Sequence, residues 1–173
     1  FQRALCDMYP GNLVLSLNAE VLYHRLVRKI TALNGVPVEP TTPRVLGPKM
    51  CVPFGKILRG NAVPNTVTKT IHTDKVFAPD IRSFTIKAYP GYVPLESQIR
   101  TVHSFQRPAI LVDDLLHSGN RLRSLDPLFR NENLNIDLVL VALLSGRGRD
   151  LMASQNRKVD SVYFIPDMQA WYV

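Results

Sequence analysis

The segment Arg107–Leu122, RPAILVDDLLHSGNRL, carries the most chemistry for its length. A short apolar run, Ala109–Val112, leads straight into two carboxylates, Asp113 and Asp114. A turn built from Ser118, Gly119 and Asn120 then enters a helical pattern. The start of a helix exposes unpaired N–H groups and the positive end of its dipole, which suits a phosphate. Gly119 lets backbone approach an anion closely. Ser118 offers a hydroxyl and Arg121 a permanent positive charge. His117 is either a solvated turn residue or a donor that charges near neutral pH. Carboxylates beside a phosphate cradle suggest a sugar phosphate, with acceptors for hydroxyls next to donors for the phosphate. The same residue types also read as an acidic strand end followed by a capped helix.

Three other segments offer chemistry. Cys51–Asn65, CVPFGKILRGNAVPN, places a Gly-Lys turn and Arg59-Gly60 after an apolar run. Lys56 and Arg59 supply charge for a strongly anionic group, and Gly60 supplies a tight turn. Ser145–Asp150, SGRGRD, reads either as an anion nest or as a plain connection between strand and helix. Val159–Trp171 ends in an aromatic residue able to stack or to pack. His72 and His103 read as residues of a helix surface and a loop. No His/Cys/Asp spacing suggests a zinc site.

These segments need a scaffold. Leu17–Asn34 predicts an amphipathic helix, with Asn18 as N-cap, Val21, Leu22, Leu26, Ile30 and Leu33 on one face, and Asn34-Gly35 as the stop. Continuous apolar runs at Met50–Phe54, Ala109–Val112, Leu138–Leu144 and Val162–Ile165 predict strands buried on both faces. Phe84–Tyr89 alternates and predicts a strand nearer an edge. Val63, Val67 and Ile71 mark a helical stripe with Pro64 in its first turn. Leu122, Leu125, Leu128 and Phe129 mark another. Strand and helix in this rhythm predict an α/β fold with a mainly parallel sheet, whose ligands bind at the carboxyl ends of the strands.

Composition narrows the classes. The 173 residues are 46% hydrophobic and 20% charged, which excludes a disordered or fibrous chain and fits one domain over 1–173. No apolar run approaches the roughly 20 residues of a membrane helix. The start lacks the sections of a secretory signal, and Cys6 and Cys51 form no disulfide framework, so the expected location is the cytoplasm. A net charge of +7 favours anionic partners. Because the basic residues are scattered, small phosphorylated ligands are favoured over nucleic acid or a membrane.

The Asp-Asp segment resembles the signature of the type I phosphoribosyltransferases: four apolar residues, two acidic, two apolar, two small hydroxyl residues, Gly, any residue, and a small hydroxyl residue. Ala109–Leu116, Ser118 and Gly119 match it. His117 and Arg121 stand where the family has Thr or Ser. The resemblance implies that Asp113 and Asp114 hold the ribose hydroxyls of phosphoribosyl pyrophosphate. It implies that His117, Ser118, Gly119, Asn120 and Arg121 cradle the 5′-phosphate, with Mg²⁺ carried by the substrate. Lys56, Arg59 and Gly60 correspond to the loop that holds pyrophosphate. Arg147 corresponds to the basic residue that contacts the base, and Trp171, with Tyr172 as its competitor, to the aromatic residue that stacks on it. Tyr89–Ser104 falls where the family has a mobile catalytic loop, with Tyr92, Ser97, Gln98, Arg100 and His103 as contributors. A small hood or C-terminal element and a homodimer are further family expectations.

Across GNLVLS, GVPVEPTTPR, GKILRGNAVPNTVTKTIHTDKVF, ILVDDLLHSGNR and RKVDSVYFIP the chain also resembles the carboxyl-terminal region of bacterial cytidyltransferase-related proteins. That likeness implies a fragment of a longer chain with an amino-terminal nucleotidyltransferase module. No His-x-Gly-His motif for nucleotidyl transfer occurs here. The expected activity is transfer of ribosyl 5-phosphate to a nitrogenous base with release of pyrophosphate. The departures at His117 and Arg121 leave a second reading open, a binding or regulatory module for phosphoribosyl pyrophosphate or a nucleotide.

Overall fold

The computed structural model describes residues 17–58 and 60–171; Arg59, Tyr172, Cys6 and the GNLVLS stretch through Ser16 lie outside the described residues. The chain begins with helix α1 (Ala19–Asn34). Asn18 caps it, its side chain accepting from the N–H groups of Glu20 and Val21 at 2.8 and 3.3 Å. Gly35 ends it at φ 66°, and the following N–H groups fold back onto the carbonyls of Ala32 and Thr31.

Four strands follow: β1 (Met50–Pro53), β2 (Val67–Thr68), β3 (Thr73–Phe77) and β4 (Phe84–Ala88). Then come α2 (Leu95–Ser104), β5 (Ala109–Leu116), α3 (Asn120–Asn131), β6 (Ile136–Ser145), α4 (Gly146–Ser154) and β7 (Val159–Ile165). Five strands form one parallel sheet in the order β2-β1-β5-β6-β7, and β3 and β4 pair antiparallel outside it. The α/β class with a mainly parallel sheet therefore holds.

Alternation along the buried strands divides the core. Met50, Val52, Leu111, Val139 and Val141 face α2, α3 and α4, together with Ile99, Leu125 and Phe129. Cys51, Ile110, Val112, Leu140 and Ala142 face the other way, under Leu26, Val27 and Ile30 of α1. The sheet is thus covered on both faces, which is why its strands read as unbroken apolar runs.

Three expectations need correction. The stripe of Val63, Val67 and Ile71 is not a helix. Asn65 adopts φ 51°, and the β-branched residues around Val67 continue as the short strand β2 and the approach to β3. Pro64 sits in the turn before it rather than in a helical turn. Tyr89–Ser104 is not one long loop, since Leu95, Ile99 and Val102 bury one face of α2 in the core. Of the contributors expected there, Gln98 is buried and accepts from the His72 N–H at 2.7 Å. Arg100 pairs with Glu132 at 3.0 Å. His103 lies on α2 and His72 in the extended approach to β3, stacked on Tyr92 with centroids 3.8 Å apart, so both differ from the surroundings expected of them.

Candidate functional site

All five parallel strands point their carboxyl ends at one edge of the sheet. β1 connects onward to β2 on one side, while β5 connects to β6 on the other. The ends of β1 and β5 therefore flank a topological switch point, where chain departing in opposite directions leaves a crevice. Gly55 and Lys56 follow β1 there, and Asp113 and Asp114 lie near the end of β5.

Strand alternation sends the two carboxylates to opposite faces. Asp114 turns toward the β1 side, where its oxygens accept from the N–H groups of Lys56 and Ile57 at 2.9 and 2.7 Å. Asp113 turns toward α3 and takes Arg121 Nη1 on Oδ1 at 3.0 Å; the same oxygen accepts its neighbour's N–H at 2.8 Å. Arg121 also donates to the Phe54 carbonyl at 3.3 Å, so its guanidinium bridges β1, β5 and α3. Burial pushes the Asp113 carboxyl up to about 6, opposed by the charge of Arg121 and assisted by that of Asp114. Gly55 lies so close that a Cβ there would run into both carboxylates. Its missing side chain is what allows the β1 turn to close over the acid pair.

Beyond the pair, the chain makes a tight turn. Gly119 is the N-cap of α3 at φ 69°, with no side-chain cap and no acid in the first turn. A Cβ on Gly119 would strike Leu151 of α4, so glycine answers both the backbone angle and the close approach of the neighbouring helix. Ser118 and Asn120 bond to each other at 3.1 Å and are exposed. His117 is half-buried, and its Nδ1 is sealed from solvent with no hydrogen-bond partner among the described residues.

A groove of about 560 Å³ opens on this turn, lined by His117, Ser118 and Asn120, by Arg123 of α3, and by Arg147, Asp150, Leu151 and Ser154 of α4. Arg147 also borders a second hollow of about 380 Å³ with Arg149, Asp150 and Pro166–Gln169, beyond the end of β7. α4 begins directly after β6, with Ser145 Oγ accepting from the Gly148 N–H at 3.0 Å. SGRGRD is therefore a helix start rather than a loop.

Of the residues expected from sequence, Lys56, Asp113, Asp114 and Arg121 meet in the crevice, and His117, Ser118, Gly119 and Asn120 form the adjoining turn. Arg121 points into the crevice at Asp113 rather than outward from the turn. Gly60 is exposed at φ 78°, in the connection after β1. Arg147 reaches the groove, whereas Trp171 is exposed at 51% and lines neither hollow. Sequence reasoning missed Arg123, Asp150 and Ser154. Their signal is helical spacing, which places Arg123 one turn along from Gly119 and Ser154 two turns along from Arg147.

Among the described residues no group of three or more His, Cys, Asp or Glu side chains could hold a metal ion, and no helix is long and apolar enough to cross a membrane. No protein-family model and no curated protein matches the chain. Among solved structures it is similar to the protein TT1426 from Thermus thermophilus, at 14% identity over 88% of this chain and 86% of that one, with a TM-score of 0.50. A hypoxanthine phosphoribosyltransferase from Staphylococcus aureus aligns at 16% identity over 93% of this chain and 82% of that one, with a TM-score of 0.47. At such identities the likeness to the Thermus protein bears on fold alone, and it agrees with the α/β architecture built around a mainly parallel sheet.

Proposed function

We propose that the crevice between β1 and β5 binds Mg²⁺-phosphoribosyl pyrophosphate or a nucleotide, and that the protein transfers ribosyl 5-phosphate to a nitrogenous base. One observation carries this reading: two carboxylates at a switch point run directly into an uncapped, glycine-opened helix start. Asp113 and Asp114 accept the ribose hydroxyls, and the N–H groups of the Ser118–Asn120 turn take the 5′-phosphate. Lys56 and Gly60 flank the place proposed for the pyrophosphate, and Arg59, outside the described residues, is proposed to add its charge there. Base contacts fall to Arg147 and Trp171, near the ends of β6 and β7.

In the reaction the bond from ribose C1 to the pyrophosphate oxygen breaks, and its electron pair leaves with pyrophosphate. A base nitrogen bonds to C1 and gives up its proton. The protein's share is to position the partners and balance charge around an oxocarbenium-like state. Mg²⁺ prefers substrate oxygens and water, with at most one or two protein carboxylates. The two acids suit an ion that arrives on the substrate. The likeness to cytidyltransferase-related proteins extends the proposal to a nucleotidyltransferase module elsewhere in a longer chain.

A second reading, binding without turnover, is favoured by the Arg121–Asp113 pair at 3.0 Å, because it commits one carboxylate oxygen and its charge to a partner inside the protein. Isothermal titration of phosphoribosyl pyrophosphate with Mg²⁺ tests both. Micromolar binding to the wild type that disappears in Asp113→Asn/Asp114→Asn supports the site. Release of pyrophosphate with any of a panel of purine and pyrimidine bases then supports transfer, whereas binding without release supports the second reading. Unchanged affinity in the double variant rules the crevice out.

A further inference from the structure

The groove beside the Ser118–Asn120 turn is larger and more basic than a single phosphate requires. Four features bear on what fills it. The first is size: about 560 Å³ falls within the range of small-molecule sites, roughly 300–1,000 Å³. The second is charge. Arg123 and Arg147 stand on different helices, α3 and α4, and both line the groove. Arg123 spends only Nε, on the Ser118 carbonyl at 3.3 Å. Arg147 is exposed and has no ion-pair partner among the described residues. The one acid in the wall, Asp150, is already met by Arg149 at 3.4 Å.

The third feature is the orientation of Arg121. Its guanidinium turns inward to Asp113, so it is withdrawn from the turn, and the arginines that line the groove with Ser118 and Asn120 are Arg123 and Arg147. The fourth is His117 in the groove wall, whose Nδ1 is buried with no hydrogen-bond partner among the described residues, so this side of the wall offers no competing anion.

From these features we propose that the groove seats a second phosphate, so that the preferred ligand is a ribose whose 5′-oxygen carries a diphosphate, as in a nucleoside 5′-diphosphate, rather than a monophosphate. The inner phosphate lies on the N–H groups that open α3. The outer one lies between the guanidinium forks of Arg123 and Arg147, whose planar paired donors match phosphate oxygens, and on this assignment Arg147 serves the phosphate and not the base. This deepens the nucleotide-binding form of the proposed function and rests on it, because the ribose must first be held by Asp113 and Asp114.

The test measures affinities for matched pairs, AMP with ADP and CMP with CDP, at fixed Mg²⁺ and moderate salt. Because the two members of a pair share a base, contacts to the base cancel in their ratio. In the wild type each diphosphate should bind at least about tenfold more tightly than its monophosphate, equivalent to ~1.4 kcal/mol. That ratio should fall to within about threefold in Arg123→Gln and in Arg147→Gln, two exposed positions whose melting transitions should not move. Arg123→Lys should keep part of it. In Lys56→Gln the preference should survive, since that residue sits on the β1 side. Equal affinities in the wild type overturn the proposal, as does a preference that survives both arginine substitutions or vanishes only in Lys56→Gln. Monophosphate binding that needs Asp113 and Asp114 but shows no diphosphate preference overturns the groove assignment alone. Absence of binding by all four nucleotides overturns it together with the ribose site.

Discussion

Asp113 is the residue on which the proposed chemistry and the stability of the fold meet. Its carboxyl titrates near 6 because burial disfavours the charged form. A raised folded-state value means that the native chain holds a proton the unfolded chain has already released. Stability contributed by this group is therefore present at low pH and lost as pH rises through about 6. The loss amounts to roughly 3 kcal/mol at 1.36 kcal/mol per unit. Urea unfolding of the wild type and Asp113→Asn at pH 4.5 and 7.5 should show the wild type losing ground to the variant at the higher pH. A stability difference that does not change with pH would contradict this. Gly55 is the second decisive residue. Gly55→Ala forces a methyl group against both carboxylates, so it should lower stability by about 1–3 kcal/mol and weaken ligand binding in the same titration that tests the acid pair. The Asp-Asp pair and the Ser-Gly-Asn turn were legible in the sequence because each stands beside an unmistakable apolar strand. The inward turn of Arg121 was not legible, since no spacing rule tells a guanidinium whether to face a turn or a carboxylate across the strand.

Elements were legible in proportion to how strongly burial patterns them. α1 and its Asn18 cap follow from the sequence directly, and so do four of the parallel strands: β5, β6 and β7 extend beyond their apolar runs, and β1 stops one residue short of its own. The 63–71 region misled because three apolar residues at helical spacing coexist with β-branched neighbours and a proline. Asn65 at φ 51° ends any helix there. β3 escaped because its burial fades from Thr73 outward, leaving no clean alternation. The turn between it and β4, Ala78-Pro79-Asp80-Ile81, is nonetheless a hairpin signal. One device that joins elements is invisible in sequence. Asp126 of α3, 8% exposed, accepts from Arg130 Nε at 2.7 Å and from Arg157 at 2.8 and 2.9 Å, clasping α3 to the connection between α4 and β7. Asp126→Ala takes the shared carboxylate from both arginines, leaving Arg130 only the Gln155 carbonyl, and the expected loss is about 3 kcal/mol. A shift of the urea midpoint too small for 1 kcal/mol would show the clasp to be ornamental.

At the scale of the molecule, a parallel sheet covered on both faces stands beside a two-stranded hairpin that is not. Val76, Phe77 and Ile81 of that hairpin are exposed at 39%, 51% and 75%. Opening free energies should differ accordingly. In native-state hydrogen exchange, amides of β1, β5 and β6 should exchange only with global unfolding, while those of β3 and β4 exchange far faster. Equal protection in hairpin and sheet would mean that the two unfold as one unit. The net charge of +7 acts at this scale too, drawing anions toward a crevice whose own acids are already engaged. The sheet's two borders are also unequal. β2, at two residues, offers almost nothing for another strand to join. β7 is seven residues long, VDSVYFI, rich in β-branched and aromatic side chains, and borders the sheet on the other side among the described residues. Concentrated or partly unfolded protein thus has one margin at which a neighbouring chain can add a strand, and self-association would begin at β7.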